Sequence, residues 1–299
     1  MTKVLSLDIV KEIYKKRDKS SKKYDHGLVI VVGGSRLYTG SPLLSALSAM
    51  RAGADVAQII APERVADVAA NFSPEIISLP LKGDHLEPNH LSELLALVRI
   101  GEDVSHGRVA VVIGGGIGRD EKTKKTVREF VKTCNAPLVI DADAIYAFEK
   151  QSESVLSAII KKTNIIFTPH LYEFFILSGK NIKNLKEEER VLSVKETARA
   201  LNATILLKGP IDYISDGGEI AINKESVPYM TAGGTGDILA GIVGALLSRS
   251  IAPFDAACCG AVMNTAAGKM VVKEKSDGLM AMDVVSKIPA VICKAQSKK

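Results

Sequence analysis

The chain has 299 residues, of which 46% are hydrophobic, 24% charged and only 5% aromatic, with no Trp; its 39 Lys/Arg against 34 Asp/Glu give a formal charge of +5. These fractions exclude a disordered chain, a collagen-like fibre and a coiled coil, and the length suffices to bury a sizeable core in one large domain. The scarcity of aromatic residues argues against stacking platforms for single-stranded nucleic acid.

Four cysteines, Cys134, Cys258, Cys259 and Cys293, form no C-x-x-C pair and are too few for a disulfide framework. They read as small buried hydrophobes in a reducing cytosol. The first twenty residues lack the apolar core of a signal peptide. The longest apolar stretch, 238–247, falls well short of the ~20 residues that a membrane span needs. The expectation is a soluble cytoplasmic protein. Residues 1–25 carry eight Lys/Arg and four Asp/Glu, and residues 287–299 carry four Lys and no acid, so the net charge between them is −3. The positive balance belongs to the two ends, which read as solvated faces. No basic face for a nucleic acid is expected on the domain itself.

In chain order, residues 1–25 read as a basic helical extension and 26–299 as one α/β domain. Within the domain, short Val/Ile-rich runs alternate with glycine turns and helical segments: LVIVV (28–32), DVAQII (55–60), RVAVVI (108–113), PLVI (137–140), NIIF (164–167) and ATILL (203–207). Near-continuous apolar strands separated by helices indicate a mostly parallel sheet covered on both faces. IDYIS (211–215) and EIAIN (219–223) then form a hairpin around Asp216-Gly217-Gly218, a turn that needs positive φ. From Thr235 onward the pattern is helical.

The glycine turns hold the candidate chemistry. Gly33-Gly34-Ser35, followed by Tyr38-Thr39-Gly40-Ser41, lies between a strand and a helix, where an anion can meet backbone N–H groups; it reads equally as a tight strand–helix turn. Gly114-Gly115-Gly116-Ile117-Gly118 imitates a dinucleotide fingerprint but fails it. Arg119 stands where the last glycine should be, and Asp141 follows Gly114 by 27 residues, whereas the fingerprint places its acid about 20 on. A loop that lets a ligand approach the backbone is the better reading. In Thr168-Pro169-His170-Leu171-Tyr172-Glu173, His170 and Glu173 lie one turn apart at a helix start, an arrangement that capping alone explains. The other histidines show no ligand spacing, so no zinc is expected. Lys208-Gly209 closes a strand, where a Lys is by default a solvated charge. The most specific feature is Thr231-Ala232-Gly233-Gly234-Thr235-Gly236-Asp237. Its three glycines and following helix form a phosphate or oxyanion cradle, and Asp237 falls in the first helical turn, placed to take a proton from an attacking hydroxyl.

Taken in order, VVGGSRLYTGS, RAGADV, GGGIGRD, DADA, TPHLYE, LKGPIDYI and TAGGTGD resemble the ADP/ATP-dependent NAD(P)H-hydrate dehydratases of the ribokinase-like superfamily, over roughly residues 24–285. The resemblance implies an α/β ribokinase-like fold with a central, mostly parallel sheet and a helical C-terminal third. It implies an activity that phosphorylates the ring hydroxyl of a hydrated nicotinamide cofactor with ADP or ATP and then eliminates phosphate, regenerating NADH or NADPH. Asp237 would be the base, with Gly234, Thr235 and Gly236 holding the phosphoryl group. Lys208, Gly209, Pro210, Ile211, Asp212 and Gly236 would contact the nucleotide. Tyr38, Gly40, Ser41, Gly116, His170 and Asp237 would contact the hydrated cofactor. Mg²⁺ would sit among the phosphates and, through water, near Glu173. A homo-oligomer and a separate epimerase partner are implied as well. The loops depart from the usual pattern in Gly40-Ser41, GGGIG, HLYE and ESVPYM. The competing reading is a kinase for a hydroxyethylthiazole- or hydroxymethylpyrimidine-type alcohol, which shares the anion loop and base. A noncatalytic nucleotide-binding regulator would leave Asp237 without a role.

Overall fold

The computed structural model describes residues 2–149 and 164–297. Its strands are β1 (Lys3–Val4), β2 (Leu28–Val32), β3 (Val56–Pro62), β4 (Ile77–Leu81), β5 (Val109–Ile113), β6 (Leu138–Ile140), β7 (Ile165–Phe167), β8 (Thr204–Leu207), β9 (Asp212–Ser215) and β10 (Ile220–Asn223). They form one sheet in the order β1-β10-β9-β8-β7-β6-β5-β2-β3-β4. Only β9 runs against its neighbours; it is the first strand of the expected hairpin, whose turn contains Gly217 at φ +90°.

Alternation along the strands supplies a core on each face. Val29 and Val31 of β2, with Ala110 and Val112 of β5, point to one side. Leu28, Ile30 and Val32, with Val109, Val111 and Ile113, point to the other. On the first side lie α1 (Asp8–Ile13), α2 (Ser41–Arg51) and α3 (Glu63–Phe72) with three C-terminal helices, α8 (Thr235–Ser248), α9 (Pro253–Lys275) and α10 (Ala281–Ser297). The second is covered by α4 (Leu91–Val104), α5 (Glu121–Thr133), α6 (Leu171–Ser178) and α7 (Glu187–Leu201). This is the doubly covered sheet that apolar strands demand. No helix among the described residues is long and apolar enough to cross a membrane.

Two expectations change. The N-terminal segment expected to be helical is a helix only over Asp8–Ile13. Ahead of it, Lys3 and Val4 pair in parallel with Ala221 and Ile222 as an edge strand, and Val10 and Tyr14 are buried in the core. A two-residue strand has no period to reveal it in sequence. Cys134, Cys258 and Cys259 are buried as expected, but Cys293 is exposed, because it falls on the solvent side of α10. Burial pushes the Cys258 and Cys259 thiols up, the second to about 12, so both stay protonated and behave as small apolar groups.

Candidate active site

Strand order reverses between β2 and β5: β3 and β4 continue to one side, β6 to β8 to the other. In an open α/β sheet the crevice at the carboxyl ends of such strands is where ligands bind. Two of the glycine turns meet there. Gly34 N–H donates to the Gly115 carbonyl at 2.8 Å, and a Cβ on Gly116 would lie 2.7 Å from Cβ of Tyr38. Gly114, at φ +135°, brings the loop so close to β6 that a Cβ would be 1.8 Å from the Asp141 carbonyl oxygen. The tripeptide therefore serves close backbone approach rather than a dinucleotide fingerprint.

Asp237 is placed over this crevice by the start of α8. Gly234 caps the helix at φ +91°, and the Thr235 hydroxyl donates to the carbonyls of Met230 at 2.7 Å and Ala232 at 3.0 Å, which fastens the loop. The first-turn N–H groups of a helix have no partner within it, so those of Gly236 and Asp237 are available to an anion. Ser45 donates to the Asp237 carbonyl at 3.0 Å, and the Ser41 hydroxyl bonds its carboxyl. A Cβ on Gly115 would lie 2.5 Å from Asp237 Oδ1 and 3.0 Å from Ser41 Cβ. Gly115→Ala should therefore displace the carboxylate and lower kcat at least tenfold while Tm moves by only a few degrees; a loss of kcat no larger than the loss of folded protein would refute that contact. Burial raises the Asp237 carboxyl to about 7, and the negative charge of Asp141 adds to the shift. A carboxyl tuned near neutrality in a crevice suits a general base.

Beside it, the ends of β6, β7 and β8 carry a compact charged cluster. Lys208 Nζ lies 2.7 Å from Asp141 Oδ1 and 4.0 Å from Glu173 Oε2, and the Thr168 hydroxyl donates to Asp141 Oδ1 at 2.6 Å. The Asp141 and Glu173 side chains are only 4% and 5% exposed. Burial opposes the lysine charge, but Asp141 and Glu173 outweigh it and hold the Lys208 pKa above its ordinary value. Burial raises the Glu173 carboxyl despite Lys208. A Cβ on Gly236 would lie 3.4 Å from Lys208 Nζ, so the lysine reaches the mouth of the anion loop. It is not the solvated strand-end charge that position alone suggests.

Past Lys208 the turn into β9 is fixed by a chain of bonds. Gly209 N–H donates to Asp212 Oδ1 at 3.1 Å, and Asn223 Nδ2 donates to Asp212 Oδ2 and to Thr265 Oγ1, each at 3.0 Å. Burial lifts Asp212 to about 6 against both hydrogen bonds. His170 and Glu173 form a reciprocal helix cap: His170 Nδ1 accepts from the N–H of Tyr172 at 3.1 Å and of Glu173 at 3.2 Å, and Glu173 Oε2 accepts from the His170 N–H at 2.8 Å. His170 remains exposed, on the rim of the crevice.

The structure thus brings Gly116, Tyr38, Ser41 and Asp237 together at the switch point, with Gly236, Lys208 and Glu173 adjoining. Gly40 caps α2 there, and Pro210 and Ile211 complete the turn beyond Lys208. Several pairings at the site were not expected from sequence. Asp141 is the partner of Lys208 from 67 positions away; Thr168 orients it; Asn223 and Thr265 buttress Asp212. Arg119, which spoils the fingerprint, pairs with Asp143 at 2.5 Å and lies over the Tyr146 ring at 3.8 Å. Strand-end position was the available signal for Asp141 and Thr168; nothing local marks the others.

This sheet, with one reversed strand beside β8, a glycine-rich anion loop opening a C-terminal helix and an Asp in that helix's first turn, defines a ribokinase-like α/β protein. Among solved structures, the Bacillus subtilis ADP/ATP-dependent NAD(P)H-hydrate dehydratase co-crystallised with ATP/Mg²⁺ has this fold, with a TM-score of 0.79 at 24% identity over 98% of this chain and 99% of that one. The chain belongs to the NAD(P)H-hydrate dehydratase family, whose model matches residues 29–290. It is 33% identical over 293 residues to the ADP-dependent (S)-NAD(P)H-hydrate dehydratase of Nitrosopumilus maritimus, covering 97% of this chain and 96% of that one. It is 39% identical over 278 residues to the bifunctional NAD(P)H-hydrate repair enzyme of Pyrobaculum aerophilum, covering 92% of this chain and 52% of the relative. The chain spans about half the length of the bifunctional relatives it matches.

Proposed function

We propose that the protein is an ADP-dependent NAD(P)H-hydrate dehydratase, on the strength of the Asp237 carboxyl, raised by burial to about 7 and held against the Gly115 loop. The ring hydroxyl of the hydrated cofactor lies against Tyr38, Gly40, Ser41, Gly116 and His170. Asp237 takes its proton as the oxygen attacks the terminal phosphoryl group of the nucleotide. The N–H groups at Gly234–Gly236 and the Lys208 ammonium stabilise charge on the transferring group. The P–O bond to the donor breaks, leaving AMP when ADP is used; elimination of phosphate then restores the ring double bond. Lys208 to Asp212 and Gly236 contact the nucleotide. The name of the Nitrosopumilus relative supports ADP as the donor.

The donor set suits a hard divalent cation held jointly with phosphate oxygens, because Asp141 and Glu173 offer carboxylates and no three His, Cys, Asp or Glu side chains among the described residues form a cage of their own. Glu173, through water, and Asp141 would hold Mg²⁺, which offsets phosphate charge. The same reading includes a cytoplasmic homo-oligomer working with an NAD(P)H-hydrate epimerase.

Because Asp237 must be ionised to accept the proton and its carboxyl is raised to about 7, kcat/KM should climb tenfold per pH unit below 7 and level off above it. A profile flat from pH 5 to 8 would remove Asp237 from the role of base. The function itself is tested by supplying hydrated NADH with ADP or ATP and Mg²⁺ and following the absorbance of reduced nicotinamide. Phosphorylation of a thiazole or pyrimidine alcohol without any recovery of nicotinamide would establish the kinase reading instead.

A further inference from the structure

The segment after α1 and the end of α10, far apart in the chain, meet in the fold. Gln296 Nε2 near the end of α10 donates to the Tyr14 carbonyl just after α1 at 3.1 Å. They meet at the amino ends of the strands, opposite the catalytic crevice, where α2 finishes near Gly53 and α8 finishes at Arg249. A cavity of about 480 Å³ opens there, lined by Lys15, Lys16, Arg17 and Arg249 around Gly53, with Tyr14 in its wall. No Asp or Glu among the described residues lines it.

Two of the four cations are fixed in place. Arg17 is held by Asp55 at 2.8 Å and by the Gly53 carbonyl at 2.6 Å. Arg249 lies over the Tyr14 ring, 4.5 Å from its centroid, and Tyr14 is itself buried with its hydroxyl donating to the Ala52 carbonyl at 2.8 Å. Both guanidinium groups converge on one point: a Cβ on Gly53 would lie 3.6 Å from Arg17 Nη2 and 3.9 Å from Arg249 Nη1. Asp55, the neighbouring acid, is already committed, its Oδ1 to Arg17 and its Oδ2 to the His26 N–H at 2.9 Å. Lys15 and Lys16, exposed on the rim, add two further charges. Preorganised guanidinium forks next to exposed ammonium groups, with no carboxylate in the cavity lining and only Asp55 paired behind Arg17, are the chemistry that recognises phosphate. Charges spread around a cavity of this size match several linked phosphates better than one.

We infer that this cavity is a second anion site, separate from the catalytic crevice, that binds an oligophosphate chain. The chain of phosphates can belong to an inorganic polyphosphate or to a nucleoside triphosphate, and two probes distinguish them. Inorganic tripolyphosphate and ATP are titrated calorimetrically at fixed ionic strength into the wild-type protein and into Arg249→Gln, Lys16→Glu and Lys208→Gln. Tripolyphosphate should bind saturably and lose about tenfold or more in affinity in Arg249→Gln and in Lys16→Glu, while Lys208→Gln binds it as the wild type does. In Lys208→Gln, ATP binding as tightly as tripolyphosphate marks the phosphate chain as the ligand, and ATP binding tenfold tighter marks a nucleotide. Lys16 is exposed on the rim, so Lys16→Glu decides the matter if Arg249→Gln is unfolded by circular dichroism. No saturable tripolyphosphate binding, or binding unchanged by Lys16→Glu, overturns the inference, as does binding lost only in Lys208→Gln, which would place the anion in the catalytic crevice.

Discussion

Asp237→Asn should lower turnover of hydrated cofactor by roughly a thousandfold while ADP affinity changes less than about threefold. The side chains are nearly isosteric, so the Ser41 contact and the close approach of Gly115 survive. What disappears is the capacity to accept a proton near pH 7. The proposed anion cradle, backbone N–H groups of the Gly234–Asp237 turn together with Lys208, is left in place by this side-chain substitution. Removing a negative charge beside the phosphates would, if anything, tighten the nucleotide. Steady-state kcat together with ADP binding by calorimetry separates the outcomes. Turnover within tenfold of wild type would mean that another group takes the proton, whereas equal losses of turnover and nucleotide affinity would make Asp237 a structural part of the cradle.

Lys208→Met has the largest expected effect on stability, about 3–5 kcal/mol, because it leaves the buried Asp141 and Glu173 carboxylates facing each other without a cation. The double variant Asp141→Asn, Lys208→Met should recover most of that loss, since one of the repelling charges has been removed. The sign with pH follows from the same geometry. In the Lys208→Met variant a carboxyl held above its unfolded pKa favours the folded state when protonated, so the variant should be most stable in mild acid and lose stability as pH rises through that folded value. Urea unfolding of the wild type, both single variants and the double variant at two pH values measures both effects. Additive losses in the double variant would show that Lys208 and Asp141 are not coupled, contrary to their 2.7 Å contact. Nucleotide KM should rise in either Lys208 variant.

Much of this architecture was legible because its determinants are local. Strands buried on both faces show themselves as unbroken Val/Ile runs, and positive-φ turns show themselves as glycines. Asp237 was legible as a candidate because three glycines around the start of an apolar helix suggest an anion loop, and an acid in the first turn of that helix would stand beside such an anion. Pairings made by topology were not legible. Asp141 and Lys208 meet because β6, β7 and β8 are neighbours with their ends level, and nothing near either residue announces the other. The Gly114-Gly115-Gly116 run was visible as a close approach, but what approaches it (the Asp141 carbonyl and the Asp237 carboxylate) depends on the strand order around the switch point. The meeting of the two ends was not legible for the same reason: α1 and α10 lie far apart in sequence and are brought together by packing on each other and on α9.

Phosphoryl transfer to the cofactor hydroxyl, with Asp237 as base, should precede loss of phosphate from the same carbon framework. Product stoichiometry tests it most directly. Hydrated NADH is incubated with limiting ADP, and NADH, AMP and orthophosphate are quantified together by absorbance and phosphorus NMR. The three products should appear in equal amounts with the wild-type enzyme and roughly a thousandfold more slowly with Asp237→Asn. NADH formed without matching AMP, or AMP and a stable phosphorylated product without NADH, would contradict it.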